Sequence, residues 1–196
     1  MEDKFTARQK EIIKASSEII ADGGIKALTM RRIASKIHTT DAAIYKHFKS
    51  KEEILEGLVY IYRSGTSEIL RRLSDSNKSN IDRVMEFFLG RCEQFENDKS
   101  SAIVMFPHDI FKNDKKILRS IVQTVEEHGS MLIRIIMQGQ AVGEIRNDVP
   151  PQHIFITVMG ALRLLITRWR GSNYAFSLTA EGEELWKSVE KLISKR

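Results

Sequence analysis

One cysteine and three prolines in 196 residues are the shortages that say most about this chain. The lone Cys92 forms no internal disulfide and has no metal-ligand partner in its neighbourhood. With so few prolines and no sustained alternation of apolar and polar residues, the chain reads as helical throughout. No apolar run reaches the length needed to span a bilayer. The charged N-terminus, MEDKFTARQKE, is not followed by an apolar signal core. Catalytic signatures are missing as well: there is no Gly-rich phosphate loop, no metal-ligand cluster and no nucleophile beside a recognisable base. Glu126-Glu127-His128 is a triplet with no partner within reach by sequence. These shortages lead us to expect a cytoplasmic protein that is not an enzyme and carries no cofactor or metal.

Hydrophobic residues make up 42% of the chain, enough for a buried core. The net charge of +5 is unevenly spread: residues 1–50 hold ten Lys/Arg against six Asp/Glu, and the remaining residues hold 21 against 20. A basic quarter attached to a balanced remainder points to an anionic partner such as DNA, or to no more than a basic soluble surface.

Helical spacing places Ile12, Ile13, Ser16, Ile19 and Ile20 on one face of a first helix that stops at Asp22-Gly23-Gly24. Thr29 is the expected N-cap of a helix from Met30 to about Ile37, with Ile33, Ala34 and Ile37 inside and Arg31, Arg32 and Lys36 outside. His38-Thr39-Thr40 forms a turn, and Thr40 caps a helix from Asp41 to about Phe48. Ser50-Lys51-Glu52-Glu53 matches a capping box that opens a long helix with a weak point at Ser64-Gly65. Beyond a polar linker at residues 75–80, further helices are expected over 81–97, over 102–112 with a break at Pro107, from Asn113 or Asp114 to about Ala141, over 152–170, and over 179–194 with Thr179 as cap. The total is about nine.

Two short helices joined by a tight turn, held by apolar residues and basic outside, fit a helix-turn-helix motif at 28–47. The pattern Thr29…Ile33-Ala34…Thr40-x-Ala42-x-Ile44-Tyr45-x-His47-Phe48-x-Ser50-Lys51-Glu52-Glu53-Ile54 resembles the TetR family of transcriptional regulators. The resemblance is strong over roughly residues 8–62, with family-type residues to about 65. Beyond that it rests on helix count, length and the Gly143-Glu144-Ile145-Arg146 turn. It implies an all-α fold with a DNA-binding domain at 1–50 and an effector-binding and dimerisation domain at 51–196.

It further implies that Thr29 and Lys51 contact phosphates, that Tyr45 and His47 face the DNA backbone, and that Thr40, Asp41, Ala42 and Lys46 line the groove. Arg31 and Thr39 complete the DNA-binding set. Tyr45 is expected to pack its ring and leave its hydroxyl free. Asp41 is either a helix-dipole residue or an acceptor for a cytosine amino group. One departure stands out. The family usually carries Ala-Gly-Val in the turn, and this chain has Ile37-His38-Thr39. Glycine there permits positive φ, so His38 has to adopt it or change the turn.

The resemblance also implies a cavity in the second half. Phe88, Cys92, Phe95, Met105, Phe106, His108, Phe111, Val125 and His128 are candidates to line it, with ordinary core packing as the alternative for each. Arg163 is a candidate to bind an acidic effector or to form an intersubunit ion pair. The expected partners are a double-stranded DNA operator, a small, largely apolar effector, and a second copy of the chain. The homodimer would form through helices 152–170 and 179–194, whose Trp169, Trp186 and apolar residues a monomer would leave exposed. The functional expectation is a repressor released from its operator by a small molecule. The alternative is a TetR-like DNA-binding protein that acts through a protein partner in chromosome organisation.

Overall fold

The computed structural model describes residues 4–74, 77–99, 102 and 115–195. Among them are eight α-helices and no strand. The helix expected at 102–112 and the caps at Asn113 or Asp114 lie outside the described residues. Helix α1 (Ala7–Gly23) opens on a capping box that the spacing argument did not anticipate: Thr6 accepts from the Gln9 N–H, and the Gln9 side chain accepts from the Thr6 N–H. It ends at Gly24, whose φ of 71° suits glycine. After a 3-10 turn at Ile25–Ala27 come α2 (Met30–Lys36) and α3 (Asp41–Tyr45), both shorter than the periodicity suggested. Helix α4 (Lys51–Ser74) continues through Ser64-Gly65 without a break. There the bare Gly65 backbone admits Gln94, whose Nε2 would lie 3.0 Å from any added Cβ.

Helix α5 spans Asn80–Asn97, α6 Lys115–Val142, α7 Pro151–Gly171 and α8 Leu178–Ile193. Pro151 occupies the first turn of α7 as expected. The cap of α8 is not Thr179 but Ser177, whose hydroxyl accepts from the Ala180 N–H. Thr179 lies two residues past the cap, in the first turn, and its hydroxyl donates to Glu96 instead.

The chain divides into two compact units, Met1–Ser64 with Lys99–Gln123, and Gly65–Asp98 with Thr124–Arg196. In the first, Ile12, Ile20, Ile33, Ile44, Ile54 and Leu55 form a core that is essentially fully buried. In the second, α5 packs on α7 and α8, and the ring of Trp186 lies 5.6 Å from that of Phe88. Gly182 marks the closest approach, where an added Cβ would stand 2.8 Å from the Cys92 sulfur. Trp169 is held by Tyr174 at 4.7 Å and donates its indole N–H to the Phe176 carbonyl at 2.9 Å.

This packing corrects the reasoning about a monomer. Trp169 and Trp186 are only 1% and 3% exposed within one chain, so neither waits for a partner. The apolar residues left in solvent on α7 and α8 are Ile156, Leu164 and Leu192. Met131 on α6 is also exposed.

Candidate nucleic-acid interface and effector region

The helix-turn-helix is fixed by its caps and its core. Thr29 Oγ1 accepts from the Arg32 N–H at 3.1 Å, and Thr40 Oγ1 accepts from the Ala43 N–H at 3.2 Å, so each short helix starts on a threonine. Between them His38 takes a φ of 53°. The turn keeps the left-handed conformation that glycine would favour, and the Thr39 N–H donates to the Ala34 carbonyl at 2.8 Å. Ile33, Ala34, Ile44 and Phe48 face inward, and Gln9 of α1 donates to the His47 carbonyl at 3.3 Å. That bond ties the end of the recognition segment to α1.

This scaffold leaves Thr29, Arg31, Thr40, Asp41, Ala42, Tyr45 and Lys46 exposed, with Thr39, His47 and Lys51 half-buried. Tyr45 departs from expectation. It is 54% exposed, so its ring is not packed. The cause is the brevity of α3: Ile44 and Phe48 fill the inward direction, and Tyr45 is rotated about 100° from Ile44 on the helix. Hydroxyls, an aromatic edge and cations thus share the exposed side of one short motif, the kind of surface that meets phosphates and base edges.

The start of α4 is a modified capping box. The Glu53 N–H donates to Ser50 Oγ at 3.3 Å, but the Glu53 carboxylate reaches past Ser50 to accept from the Lys49 N–H at 2.6 Å. Glu52 is held below the usual carboxylate range by a backbone N–H of its own and by the Ser50 hydroxyl. Negative charge in this first turn suits the helix dipole.

In the second unit, Phe88, Cys92 and Phe95 are fully buried on α5, His128 is buried on α6 and Val125 is half-buried. Met105, Phe106, His108 and Phe111 lie outside the described residues. Burial, reinforced by the charge of Glu96, pushes the Cys92 thiol up to about 12, so it is an inert core group. His128 Nε2 lies 3.3 Å from the Ser67 hydroxyl. Arg163 is exposed on α7.

Spacing arguments missed Arg91. It is 1% exposed, donates to Thr66 Oγ1 and Gln94 Oε1 at 2.7 Å each, and sits 4.4 Å over the Phe95 ring. Its position was legible, since 84, 88, 91 and 95 follow the helical period, but its charge argued against burial. A cleft of about 880 Å³ is lined by Gly65, Ile69 and Arg72 of α4, Leu89 and Gln94 of α5, and Glu183 of α8, among others. None of the described candidates Phe88, Cys92, Phe95, Val125 and His128 lines it. No helix among the described residues is long and apolar enough to cross a membrane.

Residues 12–58 match the family described as bacterial regulatory proteins, tetR family, and residues 66–193 match the C-terminal region of YsiA-like proteins. The chain is 24% identical over 195 residues to the nucleoid occlusion factor SlmA of Vibrio campbellii, covering 97% of each. Its fold is that of the ketosteroid transcriptional regulator KstR2 of Mycobacterium tuberculosis, with a TM-score of 0.83, 19% identity and 98% of each chain covered. It is also similar to AibR, solved with isovaleryl coenzyme A and operator DNA, at a TM-score of 0.76, 18% identity and coverage of 95% and 98%. With both units matched, the chain belongs to the tetR family of bacterial regulatory proteins, DNA-binding regulators of transcription.

Proposed function

We propose that this chain is a cytoplasmic repressor that binds its operator as a homodimer and leaves it when a small, largely apolar effector binds the second unit. The observation that carries this reading is the exposed polar side of the motif around α3, capped by Thr29 and Thr40 and matched to the family over residues 12–58. In the reading, Thr29, Arg31, Tyr45, His47 and Lys51 hold phosphates, while Thr39, Thr40, Asp41, Ala42 and Lys46 line the groove. Two copies of α3 then enter successive major grooves about 34–36 Å apart.

The dimer uses the outer sides of α7 and α8. Ile156 and Leu164 are each 63% exposed, Leu192 is 58% exposed, and Gly160 between the first two has open space around it. A bare glycine flanked by apolar residues lets a second helix approach closely. Helices α4 and α6 each contribute residues to both units. A ligand in the second unit that binds two conformers unequally would shift α4, and with it Lys51. Coupling of about 1–3 kcal/mol is typical of such regulators.

AibR was solved with a short acyl coenzyme A, and a ligand of that class is the first to try here. The test is to measure thermal melting and operator affinity with and without acyl coenzyme A thioesters of graded chain length. A ligand that raises the melting temperature and weakens operator binding together supports the reading. Operator affinity unchanged at saturating ligand across the series would contradict it. A second reading, action through a protein partner in chromosome organisation, is favoured by the full-length similarity to SlmA. DNA binding that is indifferent to small molecules but strengthened by a protein partner would favour it.

A further inference from the structure

His38 is the only non-glycine residue with positive φ among the described residues of the first unit. Glycine takes this conformation without a steric penalty, so the turn alone gives no reason for a side chain. The imidazole is exposed and makes no hydrogen bond or ion pair within the described residues. It also stands directly before Thr39 and Thr40, within the segment assigned above to the DNA surface. A residue held in a sparsely populated conformation, with a polar side chain that makes no hydrogen bond or ion pair among the described residues, points to a use outside the fold.

We infer that the protonated His38 imidazole contacts the DNA backbone and that duplex binding by this chain takes up a proton there. The inference rests on the DNA-binding reading above. Histidine changes charge between about pH 5 and 8, and a nearby phosphate favours the charged form. Binding then releases counterions and gains protons, so affinity falls as pH rises, by at most about tenfold per pH unit for each proton taken up. The charged and titratable groups on the surrounding elements are Arg8, Lys10, Glu11, Lys14, Glu18 and Asp22 of α1, Arg31, Arg32 and Lys36 of α2, Asp41 and Tyr45 of α3, and Lys46 and His47 after it. Glu18 engages Lys36 at 3.0 Å. His47 is a second imidazole in the same motif, so only substitution at His38 isolates its share.

The test uses the full chain and a random-sequence duplex of about 30 base pairs, since a phosphate contact is independent of sequence. Anisotropy titrations from about pH 6 to about pH 8.5 at constant ionic strength read affinity, and circular dichroism melts read folding. Asparagine tolerates positive φ, so His38→Asn should fold normally and lose about one proton of pH dependence per protomer. His38→Lys should bind tightly with less pH dependence than the wild type. His38→Gly relieves the turn and should melt no lower than the wild type, yet bind duplex several-fold more weakly at about pH 6. A merely structural role for His38 requires the glycine variant to bind as well as the wild type. Asparagine and glycine variants with wild-type affinity and pH slope would overturn the inference while leaving the DNA-binding reading intact. A wild type that binds no duplex at any pH in low salt would overturn both.

Discussion

Glu96 ties α5 to the start of α8, and removing its charge gives a sharp prediction. Its carboxylate accepts from the Leu178 N–H at 3.0 Å, the Thr179 N–H at 3.1 Å and the Thr179 hydroxyl. These donors belong to the first turn of α8, where free N–H groups and the helix dipole favour negative charge. The Thr179 hydroxyl, assisted by Ser177 and the two backbone N–H groups and opposed by burial, holds the carboxyl below its usual range. A carboxylate lowered on folding stabilises the protein above its unfolded pKa and loses that contribution as pH falls through the folded value.

Glu96→Gln keeps one acceptor and the shape but loses the charge. Hydrogen bonds to charged groups contribute about 1.5–3 kcal/mol. Partial exposure and the retained acceptor reduce the expected loss to about 1 kcal/mol. At neutral pH that moves a urea midpoint down by about 0.3–1 M. The gap between variant and wild type should narrow as pH falls below the ordinary glutamate range of about 4.3 and through the lowered folded value, where the wild type takes up its proton. Equal midpoints at neutral pH, or a gap that does not narrow as the medium is acidified, would refute the reasoning.

Three further substitutions probe the DNA surface and the dimer. Lys51→Ala should weaken binding to all duplexes alike and lower the salt slope by about one unit per protomer, read from titrations at several salt concentrations. Thr40→Ala removes the cap of α3 and should cost about 1 kcal/mol in a denaturant melt, with operator affinity falling by more than the lost stability explains. Leu164→Glu puts a charge on a residue 63% exposed in the single chain. It should leave each chain folded but halve the mass seen by light scattering at micromolar concentration.

Most of the first unit was legible in the sequence because its signals are local. Threonine caps, a capping box and the helical spacing of Ile33, Ile44 and Phe48 each act within a few residues. The His38 departure was visible too, but which way it resolves depends on the geometry of the turn. The second unit was less readable, because its determinants are non-local. Glu96 draws Thr179 away from the capping role that sequence suggested, across more than eighty residues of chain. The tryptophans looked like interface residues because their intrachain neighbours, Phe88 for one and Tyr174 for the other, are specified by packing between helices. Arg91 was hidden for a different reason. Its periodicity says core and its charge says surface, and only its contacts with Thr66, Gln94 and Phe95 decide between them.

The central claim is that two copies of the Thr29–Lys51 segment read DNA together. Selection of bound fragments from sheared genomic DNA of the source organism, followed by footprinting, tests it most directly. The expected result is a near-palindromic site with half-sites about one helical turn apart or a multiple of it, protected by two or an even number of chains. Recovery of no sequence above the random background, or protection of a single half-site by one chain, would contradict it.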